Sequence, residues 1–182
     1  MKKLRIVLGM VLVFTFAFSL TCFAEEAGAD AEPAGEEYDV GDFKVFVPEG
    51  WSPVTVGDVF GEIDADGNYP PNPGSILLIR GEAADEYSAR KLGHMNIVFF
   101  GPNSKPLDTR SLYDEVTELD VTINDEECDA FQGTNREYTY QIIEYNTEAG
   151  RYQILILAAI NGEDTGVSIE QPEVMTILEK LA

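Results

Sequence analysis

The sequence predicts an α+β fold, in which an antiparallel β-sheet is covered by helices and a C-terminal helix packs on the sheet. Two observations carry this prediction. First, the last third of the chain contains consecutive apolar, strand-like segments joined by short turns: 128–132, 136–144 and 151–160. Second, Pro172 precedes an apolar stripe over 174–181, which is typical of a helix that docks on a sheet.

The N-terminal segment has the three parts of a secretory signal peptide. Residues 1–5 are basic, residues 6–20 are an uninterrupted apolar run, and small residues precede position 25. The apolar run is short for a membrane span. We therefore expect residues 1–24 to be removed on export, and the mature protein to be extracellular or at the cell surface, with no membrane span.

Cys22 gives this segment an alternative interpretation as a lipoprotein signal. Ser19 and Thr21 stand where such signals usually carry Leu and Gly or Ala, so we predict cleavage after Ala24 and keep a lipid anchor at Cys22 as the alternative. Cleavage leaves Cys128 without a disulfide partner in the same chain. Its flanking carboxylates disfavour a thiolate, which predicts a buried, inert thiol.

Charge and composition set the boundaries of the domain and exclude some partners. Residues 25–37 are acidic, lack aromatic side chains and predict a disordered tether, followed by a single domain over 38–182. Removing residues 1–24, which carry three basic and no acidic residues, leaves nine basic and 33 acidic residues and a net charge of −24. Such a chain is unsuited to nucleic acid or anionic lipid, and it is compatible with cations or basic partners.

Strands are predicted at several positions along the domain. Residues 43–47 (FKVFV) have a pattern that fits a strand and end at a Pro-Glu-Gly turn, whereas 62–74 is rich in turn residues and predicts a loop. Residues 75–80 and 95–100 are apolar and predict strands. Residues 154–160 are apolar on both faces, which predicts a central strand covered on each side.

Two helices and one short strand complete the prediction. Residues 82–92 carry acids in the first turn and bases in the last, and Gly93 follows as a C-terminal cap. A second helix is predicted over 112–119 from apolar residues at i, i+4 and i+7, with Ser111 as its cap. Residues 166–170 predict a short strand.

The segment FKVFVPEGW at 43–51 resembles the opening strand and turn of PsbP-like domains and related bacterial secreted proteins. The later order of elements is similar too: a hairpin over 136–144 and 151–160, then a terminal helix that ends in ILEKL. The resemblance implies an antiparallel sheet between helical layers. Family members mostly bind other proteins, and the plant members bind a photosynthetic complex and can influence its calcium and chloride retention. The implied function is a secreted, non-enzymatic binding or accessory module whose partner is a protein or cell-surface component.

A calcium-modulated surface module is the alternative function. Asp64, Asp66 and Asn68 place side-chain oxygens at alternate positions around a glycine, like the first half of a calcium loop. The loop departs from that pattern at Tyr69, where glycine is usual, and at Ser75, where a bidentate Glu is usual. An ordinary Asp-Gly turn explains the same residues. No cofactor other than calcium is indicated.

Aromatic residues suggest two contact surfaces. Trp51, Tyr69 and the proline-rich stretch after Tyr69 could form an aromatic rim that contacts a ligand or partner, but Trp51 as a core anchor is the favoured interpretation. Tyr138, Tyr140 and Ile142 share one face of a predicted strand, and one of the strand's two faces is a candidate protein-contact surface.

Enzymatic chemistry finds little support in the residues. His94 is the only histidine, and neither a Gly-x-Ser-x-Gly turn nor a zinc-ligand set accompanies it, so a surface or capping histidine is expected. Paired carboxylates could serve a hydrolase, the second alternative, but pairs arise by chance among 33 acids. We expect no enzymatic activity.

Overall fold

The computed structural model describes residues 33–102, 104–105 and 108–181. These residues belong to one compact unit, Glu32–Ala182. The predicted signal peptide, Cys22 and most of the predicted acidic tether lie outside the described residues. None of the helices in the described part is both long and apolar enough to cross a membrane.

Strands dominate the described part of the chain. The strands are β1 (Gly35–Asp39), β2 (Lys44–Pro48), β3 (Trp51–Gly57), β4 (Pro71–Arg80), β5 (His94–Phe100), β6 (Glu115–Ile123), β7 (Glu126–Asn135), β8 (Tyr138–Asn146), β9 (Arg151–Ile160) and β10 (Glu163–Asp164). The helices are α1 (Glu86–Ala89) and α2 (Pro172–Glu179), and a single 3₁₀ turn spans Arg110–Leu112.

The main sheet has the strand order β3-β4-β5-β9-β8-β7-β6, and β10 pairs with the end of β9. Every neighbouring pair is antiparallel. β1 and β2 form a separate two-stranded sheet. The predicted antiparallel sheet with a packed C-terminal helix is confirmed, but the sheet is not covered by helices as expected, because α1 is a single turn and α2 is short.

The side of the sheet that α2 covers, here called the helix face, holds the larger core. Ile97 and Ile154 on this face are fully buried in one cluster with Val45 of β2 and Ile177 of α2. The β1–β2 hairpin therefore takes the place of a helical layer. Burial of each such aliphatic side chain contributes about 1.5–3 kcal/mol.

The opposite side, here called the loop face, carries the alternate residues of the strands. Leu77 and Ile79 are buried there with Ala89 of α1. Farther along the sheet, Tyr113 packs on Phe131, so the segment before β6 covers this part of the face. Residues 154–160 of β9 are buried or half-buried, as predicted for a central strand covered on both sides.

The helix predicted over 112–119 is wrong: a 3₁₀ turn ends at Leu112, and β6 begins at Glu115. Leu119, Val121 and Ile123 alternate with polar residues, and β-branched residues are frequent, so the strand period applies. The helix predicted over 82–92 is shortened to α1, which Asp85 caps through a 2.7 Å hydrogen bond from the Ser88 amide.

Several other boundaries differ from the predictions. The strand expected over 166–170 is wrong, and the short strand is β10 instead. β1 begins at Gly35, before the expected start of order at Tyr38, because Gly35 pairs with Pro48 of β2. β4 begins inside the predicted loop of 62–74, since Pro71 pairs with Gly57 across a bulge in β3.

Candidate functional site

The predicted calcium residues form a tight exposed turn. The Asp64 Oδ1 accepts hydrogen bonds from the amides of Asp66 (2.9 Å) and Asn68 (2.8 Å), and Gly67 has a φ of 86°. The hydrogen bond from the Asn68 backbone is the main reason that the pKa of Asp64 is lowered, and the Asn68 side chain adds to it. Among the described residues, no group of three or more His, Cys, Asp or Glu is arranged to hold a metal ion. The turn explains the motif through its own backbone, and calcium binding stays a prediction.

Trp51 and Tyr69 do not form one aromatic rim. Trp51 is 7% exposed and belongs to the helix-face core, with the Arg80 guanidinium 5.5 Å from its ring centre. Tyr69 is 45% exposed and packs beside Gly57. Trp51 and Gly57 are the two ends of β3, about 20 Å apart at the usual rise of a strand.

The single histidine and the described cysteine are both buried. His94 is 4% exposed, so the surface position expected for it is wrong, although its Nδ1 does contact the Leu92 carbonyl at 2.8 Å, as a capping histidine would. Burial lowers the pKa of His94 and raises the pKa of Cys128. Cys128 is the buried, free thiol that the sequence predicts.

A cluster of tyrosines on the loop face lines a surface depression. Tyr113 lies with its ring centre 6.3 Å from that of Tyr140, and Tyr140 lies 6.4 Å from Tyr138. The depression has a volume of about 610 Å³. We call it the tyrosine groove, and its lining residues are Leu112, Tyr113, Asn135, Arg136, Glu137, Tyr138, Tyr140 and Leu155.

The position of Tyr113 depends on a glycine in β7, the strand on which its ring packs. A Cβ at Gly133 would lie 2.5 Å from the Tyr113 ring, so the ring can lie against the sheet only because position 133 has no side chain. The same ring packs edge-on against Phe131, with centres 5.8 Å apart. Tyr113 is therefore fixed from two sides.

Hydrogen bonds tie the segment before β6 to the β7–β8 hairpin. The Asn135 side-chain amide donates to the Leu112 carbonyl at 3.0 Å, and the Asp114 amide donates to the Thr134 carbonyl at 2.9 Å. Arg136 adopts a φ of 56° at the hairpin turn. These contacts bring Leu112 and Tyr113 beside Tyr138 and Tyr140, although the two pairs belong to separate parts of the chain.

The groove tyrosines are in environments that favour the neutral phenol. Burial raises the pKa of Tyr113 and of Tyr140. A hydrogen bond with Glu137, together with the charge of that carboxylate, raises the pKa of Tyr138. All three hydroxyl groups are thus protonated at neutral pH, and each can donate as well as accept a hydrogen bond.

Two arginines hold the loop-face covering in place. The Arg110 guanidinium lies 4.5 Å from the Phe131 ring centre and bonds Glu118 (2.8 Å) and Asp129 (2.6 Å). These two carboxylates raise the pKa of Arg110 further. The arrangement anchors the start of β6, so we assign it a structural role.

The second arginine, Arg151, is buried. Its guanidinium lies 4.2 Å from the Phe100 ring centre, pairs with Glu144 and donates to the Lys105 carbonyl at 3.0 Å. Gln153 also donates to Glu144, at 2.6 Å. The Arg151 Nε has no hydrogen-bond partner. This cluster fixes the chain around residue 105 on the sheet.

Sequence reasoning found part of the groove. The alternation along β8 places Tyr138 and Tyr140 on one face, and the structure places them together there. Tyr113 was missed because it lies inside the segment predicted to be a helix. The only local indication that Tyr113 belongs to a contact surface is that it is an aromatic residue between two turn-forming polar segments.

Comparisons with known proteins give little further information. No protein-family model matches the chain, and no match is found among curated protein sequences. Among solved structures, it is similar to a crystal structure of a protein from Bacteroides thetaiotaomicron VPI-5482, with 13% identity and a TM-score of 0.46. The alignment covers 81% of this chain and 48% of that chain, so this chain spans about half of the other protein's length. A likeness at this level carries no argument about function.

Proposed function

We propose that this chain is an exported, non-enzymatic binding module of PsbP-like fold, and that the tyrosine groove binds a protein whose contact surface carries Lys and Arg. The tyrosine groove is the observation that carries the proposal. Tyr138 is 37% exposed and Leu112 is 65% exposed, so apolar surface faces solvent beside phenol hydroxyls. Tyrosines that combine a large ring with a polar tip are enriched at protein interfaces.

Charge supports a basic partner. The whole chain has a net charge of −21, whereas within the groove Glu137 and Arg136 offset each other, so the attraction comes from the protein's overall charge. Opposite charge accelerates association and disfavours acidic competitors.

The chain's own basic residues indicate how a partner's Lys or Arg would be held. Within residues 33–181 there are nine Lys and Arg residues. Five of these stack on aromatic rings: Arg80 on Trp51, Lys91 on Tyr87, Arg110 on Phe131, Arg151 on Phe100 and Lys180 on Phe46. None of the basic residues in the described part of the chain stacks on a groove tyrosine in this way. The ring faces of the groove are therefore suited to cations from a partner.

The exported location and the PsbP-like relationship rest on the sequence. The basic, apolar and small-residue parts of residues 1–24 support export. The segment at 43–51 supports the family, and an antiparallel sheet with a C-terminal helix is compatible with it.

A flexible basic peptide tests the proposal. A fluorescent peptide of alternating Gly and Arg is titrated with the protein, and anisotropy gives the dissociation constant. We expect Tyr138→Ala to weaken binding about twofold to tenfold, since an exposed to partly desolvated cation–π contact contributes about 0.5–1.4 kcal/mol. Tyr87→Ala, which removes an exposed tyrosine outside the groove, is the matched control. Equal affinities for the two variants, or equal binding of a Gly-Glu peptide, would refute the proposal.

A further inference from the structure

The outer edge of β6 is an open strand edge. Within the described residues β6 pairs only with β7, in one continuous register from Glu115 opposite Thr134 to Ile123 opposite Glu126. Its sequence contains no proline, and the pairing contains no bulge. One row of alternating N–H and C=O groups therefore points away from the sheet, ready to pair with another strand.

The opposite edge of the sheet differs in both respects. β3 contains Pro53, and its pairing with β4 shifts between Thr55 and Gly57. Proline and bulges are two of the means by which proteins prevent strands from adding to an edge, and charged side chains are another. The β3 edge is therefore blocked by its backbone, whereas the β6 edge is guarded only by acidic side chains, which a basic incoming strand neutralises.

A groove accompanies β6 on the helix face. It has a volume of about 590 Å³ and is bounded by residues 119–122 of β6 together with Ile169, Glu170 and Met175. Leu119, Ile169 and Met175 are only partly buried and adjoin the main core. An added strand would cover these three side chains with its own apolar residues.

The loop face beside the same edge is acidic. Glu118 and Asp120 alternate along β6, and Asp129 lies opposite Asp120 on β7. These carboxylates are exposed, and of the three only Asp120 has no described basic partner. Basic side chains on an added strand would face this acidic row.

Charge also argues against a second copy of this chain as the added strand. Full antiparallel pairing of β6 with another β6, centred on Leu119, would place Glu118 opposite Asp120 on both sides of the centre. Like charges at directly opposed positions destabilise strand pairing.

We propose that the β6 edge binds an extended segment of a partner protein by strand addition, and that this segment alternates basic and apolar residues. Its backbone pairs with the outer row of β6. Its apolar side chains cover Leu119, Ile169 and Met175 on the helix face, and its Lys or Arg side chains face Asp120 and its acidic neighbours on the loop face. The inference goes beyond the tyrosine groove and does not depend on it.

A synthetic peptide of the length of β6, with Lys and Val alternating, tests the proposal. Its comparison peptide has the same composition with all Lys at one end and all Val at the other. Backbone amide exchange of the protein is followed with each peptide. We expect the alternating peptide to slow exchange across Glu115–Ile123, while exchange in β3 is unchanged. Equal protection by both peptides, or protection elsewhere only, would overturn the proposal.

Two charge-reversal variants locate the contact. Asp120→Lys is expected to weaken binding of the alternating peptide about fivefold, the effect of about 1 kcal/mol. Glu62→Lys makes the same change of net charge in the exposed loop after β3 and should leave affinity nearly unchanged. Equal weakening by both variants would show that the peptide responds only to the protein's net charge, and would overturn the proposal.

Two further measurements distinguish strand addition at β6 from binding in the tyrosine groove and from self-association. Tyr138→Ala should leave the protection of β6 unchanged, so failure of the groove and failure of the edge are distinguishable. A dimeric mass with β6 already protected in the free protein would assign the edge to a second copy and overturn the proposed partner.

Discussion

Removing the charge of Glu144 should destabilise the fold strongly, because it leaves Arg151 buried without a counter-charge. The two side chains are 10% and 6% exposed and form an ion pair. Breaking such a pair by neutralising one member typically costs about 3–5 kcal/mol. We expect a loss of this size in the free energy of unfolding of Glu144→Gln.

The variant keeps most of the local geometry, which isolates the charge. A glutamine at position 144 has nearly the same shape, and its amide oxygen can still accept the hydrogen bond from Gln153. The contacts of Arg151 with Phe100 and with the Lys105 carbonyl are also retained. A lowered stability would therefore report the missing counter-charge.

An apolar replacement of both members provides the critical comparison. Burying two ions costs desolvation energy, so well-packed apolar pairs are often as stable as the ion pair or more stable by about 1–4 kcal/mol. We expect the double variant Glu144→Leu, Arg151→Met to recover at least half of the stability that Glu144→Gln loses. The recovery is incomplete because Gln153 loses the Glu144 carboxylate oxygen that accepts its hydrogen bond.

Urea unfolding followed by circular dichroism gives the free energies, and thermal melts give a second measure. For a domain of this size each kcal/mol shifts the melting temperature by about 2–4 °C, so Glu144→Gln should melt about 6–20 °C lower. Glu37→Gln, which neutralises one member of the exposed pair with Lys44, is the control and should change stability by less than about 1 kcal/mol. A loss below about 1 kcal/mol in Glu144→Gln would refute the reasoning. So would a double variant whose loss of unfolding free energy equals the sum of the losses in Glu144→Leu alone and Arg151→Met alone.

Two further changes have definite expected outcomes. Gly133→Ala should lower the free energy of unfolding by about 1–3 kcal/mol and weaken peptide binding at the tyrosine groove, because its Cβ would lie 2.5 Å from the Tyr113 ring. Gly101→Ala, whose Cβ meets open space, is the control and should be neutral. Similar unfolding curves for the two variants would contradict this prediction. Burial lowers the pKa of His94 from its ordinary 6.5, so the unfolded chain binds the proton more tightly. The stability from neutral His94 is present above pH 6.5 and is lost as the pH falls through the lowered folded-state pKa, and His94→Gln should flatten the dependence of unfolding free energy on pH between about 7 and 5. An unchanged slope in that variant would assign the pH dependence to other groups.

Hairpins were the part of the fold most accessible from the sequence, because their signals are local. Asn161 and Gly162 both adopt positive φ, 53° and 78°, as an Asn-Gly turn requires. The strands on either side of residues 146–150 carry β-branched and aromatic residues that fit a pleated surface. Each of these features can be read without knowledge of distant contacts.

The segment that forms β6 shows why other elements were missed. Leu112, Val116 and Leu119 satisfy a helical spacing, while Leu119, Val121 and Ile123 satisfy a strand spacing over an overlapping range. Pairing with β7 across nine residue pairs decides between them, and this pairing is a property of the fold. The C-terminal helix had no such competitor, since α2 begins at Pro172 and its apolar stripe has only the helical spacing.

The tyrosine groove depends on the same long-range pairing. β8 alone predicts that Tyr138 and Tyr140 share a face, but Tyr113 reaches them only through the β6–β7 and β7–β8 registers and the missing side chain at Gly133. No residue spacing in the sequence predicts the contact between Tyr113 and Tyr140. A contact surface built from separate strands is therefore visible only after the strands are paired.

The few basic residues explain why a basic partner is favoured at both proposed surfaces. Arg110 and Arg151 are used inside the loop face, where each stacks on a ring and pairs with carboxylates. Such buried or partly buried positions stabilise the covering of the sheet, but among the described residues none of the cations pairs with the outward carboxylate of Asp120 on β6. The result is an acidic edge beside partly exposed tyrosine rings, and each of these attracts Lys and Arg for a different physical reason: Coulomb attraction at the edge and ring stacking in the groove. The two contributions should therefore respond differently to salt, with binding at β6 weakening more steeply than binding at the tyrosine groove.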